Sequence, residues 1–271
     1  MEPAGLVDSH VHLLPDRLAR AIRRVFTDMG MDRFAYPLDP GEVLGAHLAD
    51  GFTSAWTLPY AHQPGMAARL NADVAALART LSTDGMTVVP GLTVHPADAD
   101  PGGDVEAAHD DGGRVLKLHC SVGSYGPDDV RLDGALTAAG ERGIPVVVHV
   151  GHAPSGRTAS EELDALGVAA ARHPDTTFVI AHCAHPATGA AMDLLARHDN
   201  LMADLTPVVM ELVDLDADQL EAHHHRLLLG TDMPNTAVPA GRVIEWLQRS
   251  DLSAEAYTAI TGGNARRLVT G

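Results

Sequence analysis

Val7-Asp8-Ser9-His10-Val11-His12-Leu13-Leu14 is the stretch on which the reading of the whole chain turns. Apolar and polar residues alternate in strand rhythm, and Pro15 stops the run. Side chains two apart in a β-strand leave the same face, so His10 and His12 project together near a strand end. Two imidazoles converging from one strand make half of a divalent-metal site. Taken alone, a His-x-His is more often one core and one surface histidine. Its weight comes from the residue types that close the later strands.

Working outward, seven further strand patterns follow, at residues 53–58, 87–94, 114–119, 145–150, 177–182, 201–205 and 226–232. Several are apolar throughout, as strands buried on both faces are. Helical spacing falls between them, at 67–81, 104–109, 128–141, 161–172, 188–197 and within 208–223, with 241–249 and 254–268 closing the chain. Strands alternating with helices predict a parallel (β/α)8 barrel of the TIM type, one domain over residues 1–271. The alternative is an open doubly wound sheet, but no Gly-x-Gly-x-x-Gly follows the first strand. The connection after that strand is long, with helical spacing at 17–29 and 42–49. It reads either as a lid over the site, with Arg33 and Tyr36 as substrate contacts, or as an insertion packed outside the barrel.

Composition narrows the function. A formal net charge of −17 repels nucleic acid and anionic membrane surfaces, and aromatic residues at 4% leave little for base stacking. Cys120 and Cys183 are too few for a disulfide scaffold and read as free thiols. With no secretory signal and no long apolar run, the expected location is the cytoplasm. His223-His224-His225 reads as a solvated run.

In a TIM barrel, catalytic groups gather at the carboxyl ends of the strands. Those ends carry His10 and His12, Lys117 and His119, His149, His182, and Asp232. Almost every titratable strand residue therefore lies at one rim, where a purely structural barrel would have kept charge out. Lys117 facing inward sets Leu116 and Leu118 against the helices. His119 shares its face and reads as a substrate contact. His182 is a ligand or a structural histidine, Asp232 a ligand or a turn cap. Arg157, with Gly151, His152 and Gly156 in the loop after the fifth strand, reads as a clamp for a substrate carboxylate. Asp204 reads as structural.

This set resembles the amidohydrolase superfamily, and three segments resemble its family 2, which includes metal-dependent decarboxylases related to aminocarboxymuconate semialdehyde decarboxylase. The segments are Asp8-Ser9-His10-Val11-His12, Gly230-Thr231-Asp232-Met233-Pro234 and Gly263-Asn264-Ala265-Arg266-Arg267-Leu268. The resemblance implies His10, His12, Lys117, His149, His182 and Asp232 as the metal-site set. It also implies a departure: the well-known family 2 decarboxylases lack a strand-4 lysine ligand and hold one metal, whereas binuclear relatives carry a carboxylated lysine there. Lys117 leaves one or two ions open.

The expected cofactor is a divalent metal, zinc by ligand type, with manganese or iron as alternatives. The expected activity is hydrolysis, with metal-activated water cleaving an amide, lactone or ester bond of a small molecule. Asp232, His182 and Lys117 are then the catalytic residues. The alternative is a metal-dependent, non-oxidative decarboxylase of a small carboxylated substrate. A metal-binding barrel without catalysis is the third reading. The oligomeric state stays open.

Overall fold

The computed structural model describes residues 5–151, 156–208 and 211–270. Eight parallel strands follow one another in space as in sequence: β1 (Leu6–Val11), β2 (Phe52–Thr57), β3 (Thr87–Leu92), β4 (Val115–Leu118), β5 (Val146–Val148), β6 (Phe178–Ile180), β7 (Leu201–Asp204) and β8 (Leu227–Leu228). The sheet curls into a nearly closed TIM barrel. At the seam, β8 and β1 share no continuous ladder. They meet through Ser9 N–H donating to Leu229 O (2.8 Å), Asp232 N–H to His10 O (2.9 Å) and His12 N–H to Met233 O (2.7 Å).

Strand alternation sorts the apolar residues into two layers. Val7, Trp56, Val89, Val115, Val147, Val179, Met202 and Leu228 fill the barrel. The closing helix Asn264–Val269 plugs its amino-terminal end with Ala265, Leu268 and Val269, and Arg266 reaches Gly5 O just before β1. Leu116, Leu118, Val146, Val148 and Ile180 point the other way, onto Leu136, Leu166 and Leu195 of the surrounding helices. Each such side chain stabilises the fold by about 1.5–3 kcal/mol on full burial. Lys117 is fully buried between Leu116 and Leu118, on the inward face that the alternation predicts.

In β1 the alternation is interrupted. Asp8 pairs with Ala55 and Val11 with Thr57, so three steps on β1 oppose two on β2. This bulge resets the face. Val7 points inward and Asp8 outward, toward His47 of the helix Pro40–Ala49, yet His10 and His12 both face the barrel mouth. The seam also requires a glycine at 230, where a Cβ would lie 2.9 Å from the Cβ of His10 and 2.1 Å from Thr206 Oγ1.

The connection after β1 folds over the carboxyl end. Its helix Asp16–Asp28 carries Arg23, whose guanidinium donates to Asn235 Oδ1 (3.0 Å), Pro234 O (3.0 Å) and Tyr36 O (3.1 Å) and lies 3.8 Å over the Phe34 ring. These bonds staple the segment to the loop beyond β8. Several helix boundaries differ from the periodicity: the 104–109 helix runs Pro101–Asp110, and that within 208–223 runs Ala217–His223. The 128–141 pattern opens as a tight turn, Val130–Leu132, before the helix Asp133–Glu141. The closing pattern breaks at Gly262-Gly263 into Ala254–Thr258, Ala259–Gly263 and Asn264–Val269. Among the described residues, no helix is long and apolar enough to cross a membrane.

Candidate metal centre

The carboxyl ends of β1 and β8 bring His10, His12 and Asp232 together, each offering one ligand atom within 4.8 Å of the others. What lies behind the imidazoles sets their orientation. His10 Nδ1–H donates to Asp204 Oδ2 at 2.9 Å, and His12 Nδ1–H donates to Leu58 O at 2.7 Å. Both rings are thereby oriented with Nε2 toward the cleft; that of His10 is left with a lone pair, and that of His12 faces the Asp232 carboxylate. Asp232 Oδ1 stands 3.1 Å from His12 Nε2 and 3.9 Å from His10 Nε2. Asp232 reaches this place on left-handed backbone (φ 63°), a conformation that costs an L residue about 1–2 kcal/mol.

Two further residues of the set reach the same cluster. Lys117 Nζ is 3.3 Å from His10 Nε2. Its burial pulls its pKa down to about 8, opposed by the charges of Asp204 and Asp232. The His182 ring centroid is 4.9 Å from that of His10, and its Nδ1 is buried with no partner among the described residues. His182, Cys183 and Ala184 are all left-handed (φ 57°, 47° and 54°). Asp204 helps to hold this turn, since its Oδ1 accepts from His182 N at 2.8 Å.

His149 stands apart from the three-ligand cluster. Its Nε2 is engaged by Gly151 O at 2.9 Å, and its ring stacks on His119 at 3.9 Å while meeting His182 edge-on at 5.0 Å. His119 Nδ1 lies 3.1 Å from Ser121 Oγ. Arg33 joins His149, His182 and Asp232 around a cavity of about 570 Å³ that Phe26, Met29, Met31 and Val208 also line. Tyr36 does not join them. It is buried, and its hydroxyl accepts from Ala240 N at 2.7 Å. Arg157 is exposed and packs over Gly126, outside the cavity lining, and His152 lies outside the described residues.

Electrostatics favour neutral imidazoles. Burial, with Lys117 next in weight, lowers the pKa of His10 to about 3. Burial holds His119 and His149 well below the usual histidine value and lowers His182 too. Burial pushes the Asp232 carboxyl up, but the His12 hydrogen bond and the neighbouring histidines outweigh it, leaving a carboxylate. Asp204 behaves likewise: burial raises it, and the charge and hydrogen bond of His10 bring it below the usual range.

Imidazole nitrogens turned to the cleft, a carboxylate between them and an orphaned buried nitrogen form a donor set that fits a divalent cation. The sequence reading missed four contributors. Asp204 was legible as an aspartate closing β7, but its partner His10 is 194 residues away. Tyr60, just past β2, sets its ring 5.7 Å from His12 and 4.9 Å from His119. His47 and Thr231 both hold Asp8.

Comparisons with known proteins agree with this architecture. An uncharacterised TIM-barrel protein from Bordetella bronchiseptica superposes with a TM-score of 0.73 at 22% identity, covering 97% of each chain. A 2,6-dihydroxybenzoate decarboxylase gives 0.71 at 14% identity over 98% of this chain and 99% of its own. A dihydroorotase from Campylobacter jejuni gives 0.62 at 16% identity over 97% of this chain and 82% of its own. No curated protein matches the sequence. The amidohydrolase family model matches residues 7–270, and the chain belongs to that family.

Proposed function

We propose that this protein is a metal-dependent hydrolase that cleaves an amide, lactone or ester bond of a small molecule. One observation carries the reading: His10, His12 and Asp232 converge, each imidazole is locked from behind, and the cluster opens into a cavity sized for a small molecule. His10 and His12 would hold the cation through Nε2 and Asp232 through Oδ1. His182 flanks them, and His149 becomes a fourth ligand by giving up its bond to Gly151 O. Zinc suits imidazole and carboxylate donors best, with manganese or iron as alternatives. When bound, such an ion supplies an acidified water and polarises the substrate carbonyl.

The chain's own groups do the rest. Asp232 takes a proton on its carboxylate and returns it to the leaving group. His182, with no hydrogen bond at Nδ1, serves either as a further ligand or as a donor to the oxygen that gains charge. Phe26 and Met31 supply apolar wall beside the reacting bond. Arg33, and Arg157 from farther out, attract a substrate carboxylate, and His119 packs against the substrate.

A second reading, non-oxidative decarboxylation, is favoured by Lys117. It is fully buried, and no carboxylate pairs with it within 4.0 Å among the described residues. As a cation it would face a substrate carboxylate. Carboxylated, it would bridge two ions and favour hydrolysis.

Elemental analysis of protein purified without chelator, for wild type and Lys117→Ala, separates these readings. About two equivalents of metal falling in the variant makes Lys117 a bridge. About one equivalent in both removes Lys117 from the metal shell and favours the decarboxylase. Wild-type protein that takes up no metal even from added zinc sinks both. Oxygen from labelled water in the product then marks the hydrolase.

A further inference from the structure

We infer that Asp8 and His47 are positioning residues, a buried clamp across the barrel seam that sets His10 against Asp232; this rests on the metal-centre reading above. Asp8 lies one step outside the cluster, turned away from the barrel interior by the β1 bulge. Its carboxylate has four donors. Oδ1 accepts from His10 N at 3.0 Å and Thr231 N at 3.1 Å. Oδ2 accepts from Thr231 Oγ1 at 2.5 Å and His47 Nε2 at 2.7 Å. One oxygen thus holds the backbone of His10 and that of the residue preceding Asp232. It does so where the sheet has least to hold it: between β8 and β1 the only formal pairing among the described residues is the bridge Val11–Met233.

The fourth donor identifies the purpose. His47 Nδ1 faces Val43 O at 3.1 Å, and Nε2 faces the carboxylate. Carbonyl and carboxylate oxygens only accept, so both ring nitrogens carry protons and the ring is an imidazolium opposite Asp8. Asp8 and His47 are both fully buried beside a largely apolar layer that includes Val43, Leu44 and Phe52. A buried ion pair there contributes little stability over apolar side chains of the same volume, because desolvation offsets its attraction. What it contributes is fixed geometry. The pair anchors the seam from the helix Pro40–Ala49, so a residue outside the cluster, reaching it only through Asp8, sets where Asp232 and His10 stand. Metal sites are sensitive to such outer contacts, whose removal typically costs ~10–100-fold in affinity.

The test is zinc affinity by titration against a competing chelator, with cobalt(II) absorption and metal-free melting temperature as parallel readouts. It compares full-length wild type, His47→Gln, Thr231→Val and Thr231→Ser. Thr231→Val keeps shape and backbone but removes the hydroxyl donor, and Thr231→Ser restores it. The expected result is zinc binding weakened ~10–100-fold in His47→Gln and Thr231→Val, a changed cobalt spectrum, and recovery in Thr231→Ser. Wild-type affinity in both His47→Gln and Thr231→Val overturns the inference and leaves the metal centre intact. So does a loss that Thr231→Ser fails to restore, or one that only follows the melting temperature. If His47→Gln does not fold, the two Thr231 variants decide the matter. Wild type without zinc affinity brings down the metal centre itself, and the inference with it, a failure distinguishable because only then does wild type not bind.

Discussion

Two pairs of histidines face the mouth of this barrel, and they are held differently. His10 and His12 each give Nδ1–H to an acceptor behind them, Asp204 and the carbonyl of Leu58, and keep Nε2 for the cleft. His119 and His149 stack face to face at 3.9 Å, and His149 spends its Nε2 on Gly151 O. The first pair aims its Nε2 atoms at the cleft, where they meet Lys117 Nζ and Asp232 Oδ1, while His149 of the second must turn away from a backbone carbonyl to reach a cation. Residue type at a strand end therefore does not make a ligand. The acceptor that fixes the opposite ring nitrogen does.

The sharpest break of this comparison is to remove a member of the preorganised cluster. His10→Ala removes one of the three converging donors, and Asp232→Asn replaces the only anionic one among them by a neutral amide oxygen. We expect zinc content to fall from stoichiometric to background in elemental analysis. Because Asp232 also carries the proton in the proposed reaction, turnover in Asp232→Asn should fall by ~10²–10⁴-fold even with saturating zinc. Full activity in that variant would remove Asp232 from the chemistry.

The next test uses four buried rings at the mouth. His10, His119, His149 and His182 all titrate below the ordinary histidine value of 6.5, chiefly through burial, with His10 at about 3. The sign follows from linkage. Between 6.5 and those lowered values the unfolded chain binds protons that the folded chain refuses, so stability falls as pH falls. Each such group contributes a slope of about 1.4 kcal/mol per pH unit across its window. Denaturant unfolding of the metal-free protein should therefore show stability dropping steeply from pH 6.5 to 4, with a shallower profile in His149→Gln. A flat profile would mean that these rings are solvated and the cleft is open.

How much of this is legible in the sequence depends on the range of the contact. The inward placement of Lys117 follows from Leu116 and Leu118 on either side of it, because strand alternation is a local rule. The strand ends are legible for the same reason. The outward turn of Asp8 is not, because a strict two-residue period puts Asp8, His10 and His12 on one face. The bulge that separates Asp8 from the histidines is a property of the pairing with β2. Asp204 reads as merely structural, and Tyr36 as a substrate contact, because nothing nearby announces their partners. Asp204 meets His10 across 194 residues and Tyr36 meets Ala240 across 204. Periodicity sorts side chains by face, but it cannot say which distant donor or acceptor will meet them there.

The smallest effect expected is also the one that refines the comparison most. If His149 joins the cation only by giving up Gly151 O, its net contribution is the difference between a metal bond and a hydrogen bond already made. His149→Gln should then weaken zinc binding by about tenfold, well short of the loss in His10→Ala, and leave the stoichiometry unchanged at saturating zinc. Competition titration of the two variants side by side reads this directly. Equal losses would mean that His149 is as strong a ligand as His10, with the ring turned toward the cation and the Gly151 contact counting for little. No loss at all would assign His149, with its stacked partner His119, to the substrate. The centre would then be His10, His12 and Asp232, with His182 in the remaining place.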